Sequence, residues 1–150
     1  KRQAHNIPCA VVQFIKGTWK TGERSFLENK FSKECAFVVS GEGFTWETQD
    51  RARDIAAAKA GWEEAKKFIL NPEIGFILLD EINIALRYDY LDIDEVVEFL
   101  LTKKPPMTHV VLTGRNAKEE LITAADLVTE MSLIKHPFRD GIKAQKGIEF

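Results

Sequence analysis

Residues 75–90 read GFILLDEINIALRYDY, and within them the apolar run Phe76-Ile77-Leu78-Leu79 ends in two adjacent carboxylates, Asp80 and Glu81. A buried negative charge is costly to leave unpaired, so a carboxylate pair closing an apolar strand asks for a cation. Asp or Glu at the end of a buried strand is the Walker B arrangement, in which the side chain reaches Mg²⁺ on a nucleotide's phosphates, directly or through water. The same two residues could instead open a helix, whose N-terminal dipole favours negative charge.

Other residues of chemical interest fall after similar runs. Residues 41–46 read GEGFTW. The two glycines permit a sharp turn, and Phe44 and Trp46, two positions apart, would point to the same side of an extended loop. Such a pair could wall an apolar ligand, stack on a base, or simply pack beneath its own loop. Arg115 follows Thr113-Gly114, and Lys16, Arg24 and Lys143 lie in comparable segments. Each is a candidate phosphate partner, and each taken singly also reads as a solvated surface charge. His136 precedes Pro137, but no Ser or Cys with a partnered acid can be assigned to it, so a nucleophilic triad has no support. An enzyme built this way would take its nucleophile from a ligand. Cys9 and Cys35 sit inside apolar runs, where free cysteine behaves as a small buried hydrophobe. With no CxxC and three scattered histidines, zinc spacing is missing.

The elements that must position these residues can be read from hydrophobic pattern. Five short runs are predicted as strands: 9–15, 35–39, 75–80, 108–113 and 127–134. Most are apolar on successive residues, which suits a sheet covered on both faces. In 50–70, Ile55, Ala58, Trp62, Ala65 and Ile69 recur at helical spacing, leaving Arg53, Lys59, Glu63 and Lys66 for water. Asp92 with Glu95, and Asn116 with Glu119, have the form of capping boxes, and Pro105-Pro106 stops the helix that follows the first. Strands alternating with helices predict an α/β fold with a mostly parallel sheet flanked by helices. Ligands of such sheets bind beyond the carboxyl ends of the strands, so the segments after the five strands are expected to share one rim and one site.

A chain of 150 residues is one ordinary domain, and at that length roughly 70% of the unfolded surface can be buried. The composition, 45% hydrophobic and 29% charged without low-complexity tracts, predicts a single domain over 1–150 with no linker. Net charge is −2, with 21 basic and 23 acidic residues interspersed, so nothing draws the whole molecule to nucleic acid or anionic lipid. That balance also argues against a motor or single-strand binder in which Phe44 and Trp46 stack on bases. No stretch approaches the ~20 apolar residues of a membrane span, and a cytoplasmic location is expected.

In combination, VVQFIKGTW with GER (11–24), GFTW (43–46), LLDEIN followed by YDYL (78–91), LTGR (112–115), and KHPF with GIKAQKGIEF (135–150) resemble the bacterial ATP:corrinoid adenosyltransferase family of the P-loop type. The resemblance runs from about Cys9 to the end of the chain. It implies a P-loop NTPase, RecA-like fold and transfer of the 5′-deoxyadenosyl group of ATP to Co(I) of a reduced corrinoid, with release of triphosphate. By the family pattern Phe44 and Trp46 are the catalytic aromatics beside the corrinoid, displacing its lower axial ligand. Asp80 and Glu81 are the Mg²⁺ pair with Glu81 as direct ligand, and Arg115 lies near the nucleotide. A homodimer and an electron-donating reductase are the partners implied.

One departure stands out. The family carries a glycine-rich P-loop on a strand before VVQFIKG, and no GxxxxGK[ST] occurs in this sequence. Without that loop the phosphates lose a cradle of backbone N–H groups and a lysine, and the sheet lacks a central strand, which should leave apolar edges exposed. The chain opens at Lys1 without methionine, and preceding sequence is the expected explanation; a non-catalytic corrinoid- or nucleotide-binding relative is the alternative. The 150-residue chain alone is therefore predicted to show little or no ATP-dependent adenosylation. The check is the absorbance change when ATP is added to reduced corrinoid and the purified chain, and adenosylated product would contradict the expectation.

Overall fold

Four of the five apolar runs form strands, because each can pair along its backbone while presenting β-branched side chains to helices on both faces. The computed structural model describes residues 7–15, 22–40, 50–145 and 147. Strands β1 (Cys9–Phe14), β2 (Cys35–Ser40), β3 (Phe76–Asp80) and β4 (His109–Leu112) make one parallel sheet in the order β2-β1-β3-β4. Helices α1 (Gly22–Lys30), α2 (Arg51–Leu70), α3 (Ile82–Arg87), α4 (Ile93–Thr102) and α5 (Glu119–Ala124) are the α-helices among the described residues. The α/β class and the parallel sheet expected from the pattern are what the chain adopts.

Register brings the chemistry together. Gln13 of β1 stands opposite Asp80 of β3, and Phe14 opposite Ser40 of β2. Since all four strands run the same way, their carboxyl ends share one rim. Ser40, which leads into residues 41–49, ends on that rim with Asp80.

The core lies between the sheet and its helices. Ala10, Val12, Phe14, Ile77 and Leu79 from the strands meet Ala58, Trp62, Ala65 and Ile69 from α2. Four of the five α2 residues read from helical spacing are buried, Ile55 is partly buried, and Gly61 joins them. A side chain at Gly61 would run into Ser40, so the absence of a Cβ sets how closely α2 lies on β2. Asp50 caps α2 by accepting from the Arg53 N–H at 3.1 Å.

The two predicted capping boxes fare differently. Asp92 caps α4, accepting from the N–H groups of Asp94 and Glu95, but Glu95 does not return the bond. Its carboxylate instead accepts from Trp62 Nε1 at 3.1 Å and Lys66 Nζ at 3.2 Å, satisfying a buried indole N–H. Asn116 is not a cap: α5 begins at Glu119 after Lys118, and Asn116 takes a left-handed turn conformation, φ 56°.

The expected strand at 127–134 does not form. The run has no regular secondary structure, and Leu127, Val128, Met131, Leu133 and Ile134 are all exposed. A strand exists only against a partner edge, and among the described residues no ladder joins this run to β4. β4 is itself an edge among the described strands, with His109 and Val111 exposed. Among the described residues no helix is long and apolar enough to cross a membrane.

Cys9 and Cys35 are register partners on adjacent strands, both buried and neither in a disulfide. Burial first, and then the neighbouring Cys9 thiol, push the Cys35 thiol up to about 12 from an ordinary 9.0. Folding therefore holds the Cys35 proton more tightly than the unfolded chain does. The associated stability is complete below about pH 9 and is lost as pH rises toward 12. At pH 8 Cys35 should resist alkylation in the folded chain and react only on denaturation, as mass spectrometry of iodoacetamide-treated protein would report; rapid labelling under native conditions would contradict the burial.

Candidate functional site

The site begins with a solvation problem. Asp80, itself half-buried, closes a strand whose Ile77 and Leu79 are fully buried, and its carboxylate takes donors from within the protein. Two are supplied by neighbouring strand ends: Gln13 Nε2 donates to Oδ2 at 3.0 Å, and Thr113 Oγ1 donates to Oδ1 at 2.9 Å. Gln13 is the buried polar residue within the apolar β1. Asp80 thereby ties β1, β3 and the end of β4 together at the rim.

Glu81 turns the chain from β3 into α3 with φ 62° and ψ 18°, a left-handed conformation unusual for a residue with a side chain. That conformation costs roughly 1–2 kcal/mol for an L-residue, and it is held from β4: the Glu81 N–H donates to Thr113 Oγ1 at 3.1 Å. The Thr113 hydroxyl is thus an acceptor from Glu81 and a donor to Asp80. Hydrogen bonds of this kind are each worth about 0.5–1.5 kcal/mol, and more when one partner is charged, enough together to offset the strain. Such outliers, when over-determined by their surroundings, concentrate at functional sites.

Asn83 adds a second clasp. Its N–H donates to the Thr113 carbonyl at 3.2 Å and its Nδ2 to the Gly114 carbonyl at 3.3 Å. Gly114 has φ 127°, and a Cβ there would lie 2.9 Å from Asn83 Cβ and 3.3 Å from Glu81 Oε2. Only glycine allows the β4 tail to pass this close. The Asn83 Oδ1 is buried with no hydrogen-bond partner among the described residues. The Glu81 side chain, half-buried, makes no capping bond.

The residues singled out in the sequence are placed unevenly. Asp80 and Glu81 meet at the rim; Gly114 passes beside Glu81, and Arg115, the next residue, is exposed. Arg24 lies on α1, where its Nε pairs with Glu28 at 2.8 Å. Lys143 is exposed in the coil after the 3₁₀ turn Pro137–Asp140. Phe44, Trp46 and Lys16 lie outside the described residues. His136 acts locally, its ring Nδ1 accepting from the Phe138 N–H at 3.1 Å. Tyr88 and Tyr90 of YDYL stack, with Arg51 over the Tyr90 ring at 5.3 Å and bonded to the Tyr88 carbonyl at 2.9 Å. These contacts anchor the start of α2, the helix that follows residues 41–49.

Sequence inspection missed Gln13, Thr113 and Asn83. For Gln13 a signal existed: a lone amide within an otherwise apolar strand that pairs on both sides.

A parallel α/β sheet with acidic residues and a glycine-permitted turn at the carboxyl rim has the architecture of the P-loop NTPase-like class. Comparison with known proteins is more specific. The family model for ATP:corrinoid adenosyltransferase BtuR/CobO/CobP matches residues 1–150. Corrinoid adenosyltransferases from Sinorhizobium sp, Pseudomonas aeruginosa and Escherichia coli K12 are 67%, 53% and 41% identical over 98%, 97% and 97% of the chain. The matched region spans 69%, 71% and 72% of those relatives. The chain belongs to the ATP:corrinoid adenosyltransferase family, a family of transferases.

The strain at Glu81 makes a stability prediction. Glu81→Gly removes the Cβ penalty of a left-handed residue and should leave the chain as stable or up to about 1 kcal/mol more so. Glu81→Val, β-branched, should lower stability by a comparable amount or more. Urea midpoints of the two variants against the parent would report this, and a Gly variant clearly less stable than the Val variant would contradict the backbone assignment.

Proposed function

We propose that this chain carries the adenosyl-transfer site of its family: it orients ATP so that the cobalt of a reduced corrinoid attacks C5′ and displaces triphosphate. The electron pair of Co(I) forms the Co–C5′ bond. The C5′–O bond breaks, and the triphosphate leaves with that bond's electrons. The nucleophile comes from the corrinoid substrate, in keeping with a sequence in which no Ser or Cys triad can be assembled.

The residues present suit Mg²⁺. Carboxylates are hard oxygen donors, and Asp80 and Glu81 stand together at the strand end. One or two carboxylates would be completed by phosphate and water oxygens, the usual way Mg²⁺ is held with nucleotides. When bound, Mg²⁺ would offset the charge that builds on the leaving triphosphate. Glu81 is the direct ligand in this reading and Asp80 its neighbour. Arg115, with Lys16, Arg24 and Lys143 as further candidates, faces the phosphates. Phe44 and Trp46 press on the macrocycle, excluding a lower axial ligand without replacing it and keeping water from the cobalt. The observation that carries the reading is a half-buried Glu81 held in a strained backbone at the carboxyl rim of the sheet, on which β2 also ends before GEGFTW. The active form we infer is a homodimer, each subunit holding the single domain to which residues 1–150 belong, supplied with electrons by a reductase in the cytoplasm.

The test uses the complete reading frame encoding this chain, with reduced corrinoid, ATP and Mg²⁺, followed by absorbance. Glu81→Gln should slow adenosylation roughly 10²–10³-fold, the loss typical of removing one group that stabilises developing charge. Trp46→Ala should retain ATP binding yet fail to shift the corrinoid spectrum toward the form without a lower ligand. Corrinoid and ATP binding without any transfer by the unsubstituted protein would favour a non-catalytic binding role.

A further inference from the structure

The Thr113 hydroxyl occupies a position that the adenosyl-transfer chemistry does not itself explain. It has one proton and two lone pairs. The proton goes to Asp80 Oδ1 at 2.9 Å, and one lone pair receives the Glu81 N–H at 3.1 Å. Glu81 N–H, Thr113 O–H and Asp80 carboxylate thus form a directed chain in which each bond polarises the next. Gln13 holds the other Asp80 oxygen from β1 at 3.0 Å, so the acceptor end of the chain is fixed from the opposite side.

The backbone around Thr113 is equally constrained. Its N–H donates to the Leu79 carbonyl at 3.1 Å, continuing the β3–β4 ladder, and its carbonyl accepts from the Asn83 N–H at 3.2 Å. Asn83 Nδ2 reaches the next carbonyl, that of Gly114, at 3.3 Å. Thr113 therefore cannot drift from the β3–α3 turn. What the hydroxyl adds to this backbone frame is specific: it is the acceptor that keeps the Glu81 peptide turned toward β4, the orientation its left-handed φ of 62° requires. With the peptide fixed, the carboxylate of Glu81 emerges beside Gly114, whose missing side chain leaves it room.

We propose that Thr113 is a positioning residue: its hydroxyl fixes the direction in which Glu81 presents its carboxylate, with Asp80 and Gln13 as the anchor on which that hydroxyl is oriented. Asp80 then serves chiefly as a brace for its neighbour. The inference rests on the reading of Glu81 as the residue facing a metal-bound nucleotide. Groups that orient a metal ligand are often worth nearly as much as the ligand itself.

The experiment measures how much Mg²⁺ is needed for half-maximal binding of a fluorescent ATP analogue, by anisotropy, in the complete reading frame carrying Glu81→Gln, Thr113→Val or Thr113→Ser. Urea midpoints are taken alongside to confirm folding. Glu81→Gln and Thr113→Val are both expected to raise the Mg²⁺ midpoint, Thr113→Val by about tenfold. Thr113→Ser, which keeps the hydroxyl and loses only a methyl, is expected to stay within about twofold of the parent. A folded Thr113→Val protein with the parent's Mg²⁺ midpoint, while Glu81→Gln is shifted, overturns the role of Thr113 and leaves that of Glu81 standing. An unshifted Glu81→Gln protein overturns both. Should Thr113→Val not fold, Thr113→Ala takes its place beside Thr113→Ser; an equal shift in those two would assign the effect to the methyl group and overturn the proposal.

Discussion

A carboxylate at the end of an apolar strand loses part of its water, and the energetic need to replace it organises this molecule's rim. Asp80 receives one donor from β1 and one from the end of β4, so the charge is solvated by the two elements that flank its own strand. Each of these bonds offsets part of the cost of burying the charge.

From that anchor the remaining geometry follows by short steps. Thr113 is oriented by Asp80 and in turn holds the Glu81 peptide. Asn83 closes the turn against Thr113 and Gly114, and Gly114 passes where no side chain would fit. Below this rim the packing is ordinary: α2 lies across the strands through Ala58, Gly61, Trp62, Ala65 and Ile69. Trp62 stacks edge-on against Phe99 of α4, and its indole N–H is satisfied by Glu95. The rigid sheet and its covering helix keep the strand ends in register, and the ligating chemistry is placed on the turns that leave them.

The open side of the sheet contrasts with this order. β4 is exposed along one edge, and the apolar run 127–134 is exposed, with no strand partner among the described residues. Hydrophobicity alone marked that run as a strand, and the failure has a clear cause. Apolar character says that a segment gains from burial, whereas a strand also needs an edge within reach whose N–H and C=O groups match its own. The same distinction explains the capping boxes. Asp92 needs only its own following N–H groups and caps as its pattern says, while Glu95 is drawn away by Trp62, a residue 33 positions distant in the chain.

By itself the sequence determined the α/β class, four of the strands, the buried face of α2, the buried cysteines, the family and the acidic pair at the end of β3, because each is a matter of local periodicity, residue type or a contiguous motif. Only the tertiary structure decided which side chains stand around that pair. Gln13, Thr113 and Asn83 are separated from one another by up to 100 residues and meet because parallel strands bring their carboxyl ends to one rim. The hydrogen bonds that orient Asp80 and Glu81 depend on strand order and register, which are set by long-range pairing, and no local pattern encodes them.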